Sequence, residues 1–264
     1  MKKIGWKAAL ISAAIILGAL LLWGALSLKK PNPKTPQDAL TLGLKYAHGD
    51  GLAADKGKAF NLIQQAANKG FAPAEYNLGT LYYNGDGVAV DKSKALYWYQ
   101  QAVNHGDAQG QVALGNMYYN GDAVTVDKAK AADLYQQAAN QNDPQSQLNL
   151  GVMYASGDTV ALDKSKTLYW YQKAAEQGNA QAEYNLGNLY YNGDGLAVDK
   201  GKAVYWYQQA ANHGFAQAEL ALGIMYYNGE GVTVDKNNSS YWLKQSADHG
   251  SEAAKNQLKI WFSS

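Results

Sequence analysis

Residues 180–214 read AQAEYNLGNLYYNGDGLAVDKGKAVYWYQQAANHG, and this stretch decides the fold. Displaced by 36 positions, the chain falls on itself. The Leu-Gly pair of the stretch recurs at Leu42-Gly43, Leu78-Gly79, Leu114-Gly115, Leu150-Gly151, Leu186-Gly187 and Leu222-Gly223, six copies with no insertion or deletion between them. A fixed period of this size marks a solenoid, whose units bury apolar surface only on their neighbours.

Within the unit, Ala182, Leu186, Leu189 and Tyr190 fall on one face at helical spacing, which predicts an amphipathic helix. Asn192-Gly193-Asp194-Gly195 then breaks it with residues that tolerate positive φ. Asp199 is a good N-cap for a second helix, whose apolar stripe is Ala203, Trp206, Tyr207 and Ala210. Gly214 is the expected left-handed stop. The glycine of the Leu-Gly pair sits inside the first helix, where it costs about 1 kcal/mol relative to alanine. A missing side chain at Gly187 is expected to let Trp206 and Tyr207 approach closely, so no ligand is needed to explain it.

The pattern A-x-A-x-x-x-LG-x-x-Y-x-x-G-x-G-V-x-x-D-x-x-K-A-x-x-W-Y-x-x-A-A-x-x-G resembles the Sel-1-like repeat, a longer-looped relative of the tetratricopeptide repeat, and does so over residues 36–262. Some copies depart from it. Ala123 and Thr159 replace the second loop glycine, Leu62 and Leu134 the tryptophan, and Asn142-Asp143-Pro144 the closing glycine. The resemblance implies an all-α fold, an α/α superhelical solenoid of six 36-residue helical hairpins at about 36–71, 72–107, 108–143, 144–179, 180–215 and 216–250. A capping helix at 251–262 closes it, with Lys259 in the glycine slot and Ala254, Leu258, Trp261 and Phe262 on its apolar face. It further implies an adaptor for macromolecular complexes, in bacteria often one that serves envelope signalling, secretion or contact with host cells. Certain cysteine-rich relatives are linked to β-lactam binding and hydrolysis, but their paired cysteines are missing here.

With 264 residues, 47% of them hydrophobic, the chain can bury a large core. It has no cysteine, which removes disulfides, thiolate metal sites and cysteine nucleophiles together. Every one of the 23 basic residues is lysine, and six of them precede Pro36. The remaining 17 face 22 acidic residues, a balance of −5 in the repeat body. A body of that sign without a guanidinium fork is a poor partner for phosphates, so nucleic acid is set aside.

Residues 8–28 hold no charge over 21 positions, enough helix to span about 30 Å of hydrocarbon. Trp6 and Trp23 add rings suited to the interface. The run exceeds the core of about 7–15 residues usual in a signal peptide. The expectation is therefore a basic tail (1–7), an uncleaved transmembrane signal-anchor (8–28) and a Pro/Lys-rich linker (29–35). Ala25-Leu26-Ser27 offers the alternative of cleavage near Ser27 and secretion. A short tail that stays inside makes this a single-pass inner-membrane protein whose repeats face the periplasm.

Candidate chemistry is sparse. His105, His213 and His249 share one slot before the closing glycine, where side chains can meet helix C-terminal carbonyls; with His48 they form no ligand cluster. The loops at 84–87 and 192–195 lack the ligand spacing of a calcium loop. No G-x-S-x-G, H-E-x-x-H, Walker or Rossmann pattern stands in a suitable setting. The expectation is no catalysis, no metal and no cofactor.

One face of the first helix is suited to binding. Counted from the Leu-Gly glycine, positions −3, +1 and +4 line the concave side in tetratricopeptide-like arrays. They read Tyr76, Thr80 and Tyr83; Val112, Asn116 and Tyr119; Leu148, Val152 and Ala155; Tyr184, Asn188 and Tyr191; and Leu220, Ile224 and Tyr227, with Asn84, Asn120, Asn192 and Asn228 on the rim. Tyrosine gives large contact area with few torsions to freeze. Two readings stand for each tyrosine, a contact for a guest or packing between neighbouring first helices. The candidate site is Tyr76, Thr80, Tyr83, Asn84, Asn116, Tyr119, Asn120, Tyr184, Asn188, Tyr191, Asn192 and Tyr227. The expected function is a non-catalytic, membrane-tethered scaffold that takes a peptide or protein in this groove. A carbohydrate or peptidoglycan binder is the alternative, and a β-lactamase-like hydrolase a weaker one.

Overall fold

A computed structural model describes residues 33–157 and 160–262. The expected basic tail, anchor and Ser27 cleavage point, and most of the linker, lie outside the described residues. Among the described residues no helix is long and apolar enough to cross a membrane.

Thirteen helices and no strand occur among the described residues. In order they are α1 (Pro36–His48), α2 (Lys56–Ala67), α3 (Ala72–Asn84), α4 (Lys92–Asn104), α5 (Ala108–Asn120), α6 (Lys128–Asn140), α7 (Pro144–Ser156), α8 (Lys164–Ala175), α9 (Ala180–Asn192), α10 (Lys200–Asn212), α11 (Ala216–Asn228), α12 (Lys236–Asp248) and α13 (Glu252–Phe262). Odd-numbered α1 to α11 are the first helices of six repeats, even-numbered α2 to α12 the second. Each first helix packs most closely on the second helix of its own repeat, and each second helix on the first helix of the next repeat. The result is an all-helical solenoid.

Local chemistry sets the boundaries. Thr35 caps α1 in a reciprocal capping box with Asp38, and Pro36 occupies the first turn. Every second helix begins at an aspartate: Asp55, Asp91, Asp127, Asp163, Asp199 or Asp235, whose carboxylate accepts backbone N–H groups of the first turn. Each first helix stops at a glycine in the left-handed conformation, such as Gly193 at φ 77°. Where the chain lacks the expected glycine it still takes that conformation, at Ala123 (φ 56°) and Asn142 (φ 68°). Asparagine tolerates this region, whereas alanine is strained there by about 1–2 kcal/mol.

The core is small residues and leucine at the helix contacts, with Ala74, Leu78, Ala95 and Ala102 fully buried in the second repeat and Ala182, Leu186, Ala203 and Ala210 in the fifth. Neighbouring repeats are also joined by polar struts. The lysine that opens a second helix reaches the acidic residue in the next repeat's loop: Lys56 to Asp86 at 2.6 Å, Lys92 to Asp122, Lys164 to Asp194 at 3.6 Å and Lys200 to Glu230 at 2.9 Å. Exposed pairs of this kind are each worth less than about 1 kcal/mol, so they set register more than stability.

At the far end α13 buries Ala254, and Trp261 stacks on Tyr227 with ring centroids 3.7 Å apart. Phe262 meets the same tyrosine edge-on.

Candidate partner-binding face

The face is built from behind. In α3 the glycine at position 79 leaves room for a ring: a Cβ there would stand 2.6 Å from Tyr99 of α4. The same holds at Gly115, 2.7 Å from Tyr135, and at Gly151 and Gly187, which meet Tyr171 and Tyr207. The first and last copies keep the glycine but use smaller partners, Ile63 beside Gly43 and Leu243 beside Gly223. The expectation for Tyr207 is met. Trp206 instead packs against a cluster that includes Ala174 and Ala175 of the preceding repeat and Leu186.

Because the ring crosses the first helix where no side chain stands, its hydroxyl emerges on the other side. Tyr135 donates to Asn116 Oδ1 at 2.6 Å, and Tyr207 to Asn188 Oδ1 at 2.7 Å. Tyr99 Oη and Thr80 Oγ1 lie 3.3 Å apart. Thr80, Asn116 and Asn188 all stand one position after the glycine, and all belong to the expected face. Burial pushes the phenols of Tyr99 and Tyr171 up to about 12, and those of Tyr135 and Tyr207 also upward.

The structure brings several of the expected residues together. Tyr76, Thr80, Tyr83 and Asn84 of α3 share a cleft of about 280 Å³ with Asn116 and Asn120 of α5, closed by Tyr99, Ala113, Met117 and Asp122. Asn116 and Tyr119 also line the next cleft, about 240 Å³, with Tyr135 and with Leu148, Asn149, Val152 and Met153 of α7. Asn84, Asn116, Asn120 and Asn192 are exposed, whereas the tyrosines are half-buried.

The tyrosines of the row are also engaged by neighbours within the array. Tyr83 donates to Asp122 Oδ2 at 2.7 Å with the Lys92 ammonium 4.9 Å from its ring centroid. Tyr191 donates to Glu230 at 2.6 Å beneath Lys200. Lys92 and the Tyr83 hydroxyl hold the Asp122 carboxyl below the ordinary range, and Tyr191 and Lys200 do the same for Glu230. The hydrogen bond to Asp122 in turn raises the Tyr83 phenol. Tyr184 packs on Tyr207 and Phe215, and Tyr76 stacks on Tyr99. Tyr227 lies under Trp261, so α13 covers the last position of the row.

The opposite edge is set by the histidine slot. His105, His213 and His249 do not turn to helix carbonyls; each Nδ1 lies 2.8–2.9 Å from a buried carboxylate in the first helix of the same repeat, Glu75, Glu183 or Glu219. The third and fourth repeats replace both partners at once, pairing Gln111 with Gln141 at 2.9 Å and Gln147 with Gln177 at 2.8 Å. A buried polar atom must find a partner, and the two chemistries satisfy that need equally. Among the described residues no group of acidic or histidine side chains could hold a metal ion.

Reasoning from the sequence expected Tyr207 beside the glycine and placed Leu148 and Val152 on the face, but it left both apolar residues out of the candidate site and missed Met153 and the hydroxyl bonds of the supporting tyrosines. It also missed an outer row on the second helices, Tyr97, Tyr169, Tyr205 and Tyr241, each more than half exposed and edge-on to the following tryptophan. The signal for the supports was present: tyrosine stands at the same 36-residue slot in four consecutive second helices.

Six consecutive segments, 41–71, 72–107, 108–143, 144–179, 180–215 and 216–251, match the Sel1 repeat. Among solved structures, the chain is similar to c5321, a protective antigen present in uropathogenic Escherichia coli strains displaying an SLR fold. The match has 37% identity and a TM-score of 0.79, over 85% of this chain and 48% of that one. The chain thus spans about half the length of that relative. It is also similar to a Sel1 repeat protein from Oxalobacter formigenes, at 27% identity and a TM-score of 0.75 over 84% of this chain and 86% of that one. The immunity protein Pa5087 from Pseudomonas aeruginosa shares the fold, with 24% identity and a TM-score of 0.54 over 83% and 88% of the two chains. No curated protein matches the chain.

Proposed function

The chain belongs to the Sel1 repeat family, and from that premise we propose that it is a non-catalytic scaffold that binds a segment of another protein along its first helices. One observation carries this reading. Six side chains from two neighbouring repeats, Tyr76, Thr80, Tyr83, Asn84, Asn116 and Asn120, converge on a single open cleft. Tyrosine rings held half-buried, beside exposed amides, combine contact area with directional hydrogen bonds. A repeating array offers a long guest the same contacts again at each step.

The scaffold is tethered to a membrane by the uncharged run at 8–28, with the repeats on the extracytoplasmic side of a bacterial inner membrane. The description of the Escherichia coli relative as a protective antigen supports a place outside the cytoplasm.

The test is photo-crosslinking in intact cells, with a reactive residue placed in turn at Asn116, Asn120 and Asn192 and, on the outer row, at Tyr205. A discrete adduct from the three asparagine positions, absent from position 205, is expected. Equal adducts from both faces would remove the assignment of the binding face.

A further inference from the structure

From the second repeat to the sixth the first helices are almost without charge, whereas α1 carries Asp38 and Lys45. Across α3, α5, α7, α9 and α11 the only acidic or basic side chains are Glu75, Glu183 and Glu219. All three are buried, and each is bound to a histidine at the opposite edge. Outside α1 and α13 the described lysines sit on second helices and loops, and Lys92, Lys128 and Lys200 lie over the rings of Tyr83, Tyr119 and Tyr191. The acidic loop side chains that reach this face, Asp122 and Glu230, are each bound by one lysine and one tyrosine. What the face offers is hydroxyls, amides and, between α5 and α7, the apolar wall of Leu148, Val152 and Met153.

Such a surface selects by charge. A carboxylate or ammonium placed on it loses water and meets only charges already engaged by an ion-pair partner or a tyrosine ring, a cost that neutral groups avoid. Backbone amides and hydroxyls of a guest find partners in Asn116, Asn120 and the tyrosines. An aliphatic or aromatic side chain finds the cleft of about 240 Å³ floored by Met153 and edged by Tyr119. We infer that the occupant is an uncharged, extended segment of a partner protein, with one apolar side chain seated between α5 and α7. This rests on the reading of the face given above and specifies what it binds.

The test exposes the full-length protein, in detergent micelles, to a displayed library of short random peptides. The expected winners lack Asp, Glu, Lys and Arg at their central positions and share one aliphatic or aromatic residue. Their Kd moves by less than about threefold as sodium chloride is raised, since screening acts only between charges. Val152 is 43% exposed, so Val152→Lys is accommodated in the fold, verified by circular dichroism. It weakens binding by about tenfold or more, because a charge now lines the cleft.

Winners that are charged and salt-sensitive, yet weakened by Asn116→Ala, overturn the inference and leave the binding face standing. Winners indifferent to both substitutions remove the face itself. Failure to enrich any peptide, with binding of neutral oligosaccharides instead, replaces the protein segment by a glycan.

Discussion

Tyr207 of α10 donates to Asn188 of α9 at 2.7 Å with its ring beside Gly187, so a residue of the back helix fixes an amide on the front. Tyr207→Phe is expected to keep the packing and lose this bond, costing about 0.5–1.5 kcal/mol. Urea unfolding of the two proteins measures the difference. Phenylalanine that matches the parent within error would mean water replaces the hydroxyl without loss.

Gly151→Ala tests the close approach. Alanine improves helix propensity by about 1 kcal/mol, yet its methyl would overlap the Tyr171 ring. Overpacking costs about 1–3 kcal/mol and is expected to win, lowering the midpoint of thermal unfolding. An unchanged or raised midpoint would show that the helices separate freely there.

The edge ladder predicts a double-mutant pattern. His213→Ala leaves the Glu183 carboxylate buried without its partner and is expected to destabilise by about 1–3 kcal/mol. The pair Glu183→Gln with His213→Gln reproduces the third and fourth repeats and should recover most of the loss. A double variant as unstable as the single one would deny that the two chemistries are interchangeable.

Alkaline pH tests the buried phenols. Folding raises Tyr99 and Tyr171 from an ordinary 10.0 to about 12, so it favours their protonated forms. Their contribution is full below the unfolded value and is lost as pH climbs through this window, because the unfolded chain releases its protons first. Each phenol adds a slope of about 1.4 kcal/mol per pH unit there. Replacing both by phenylalanine should flatten the fall, measured by urea unfolding at successive pH values. An unchanged slope would place the alkaline loss on other groups.

The period, the helix pairs and the aspartate caps were legible because each depends on residues close in sequence. Asp199 caps where its spacing says it should. The glycine within α9 was legible as a close approach for the same reason, although only Tyr207, not Trp206, fills the space. The partners of the histidines were not legible: Glu183 and His213 are thirty positions apart, and a local pattern shows only a helix end. Comparing repeats does show them, since glutamate goes with histidine and glutamine with glutamine. Within the candidate face, the row of tyrosines reads the same at Tyr83, Tyr119 and Tyr227. Only stacking of the array reveals that Asp122 holds the first and Trp261 covers the last.

The posts behind the first helices have one more effect. Asn116 and Asn188 already have their carbonyl oxygens tied to Tyr135 and Tyr207, so their rotamers are set before any guest arrives. Ordering a polar side chain on binding costs about 0.5–1.5 kcal/mol, and these two have met that cost during folding. Their amide N–H groups point from a preorganised frame, which favours slow dissociation over adaptability. Val152 has no amide to tie to Tyr171, so the middle of the array selects by shape where its neighbours select by direction.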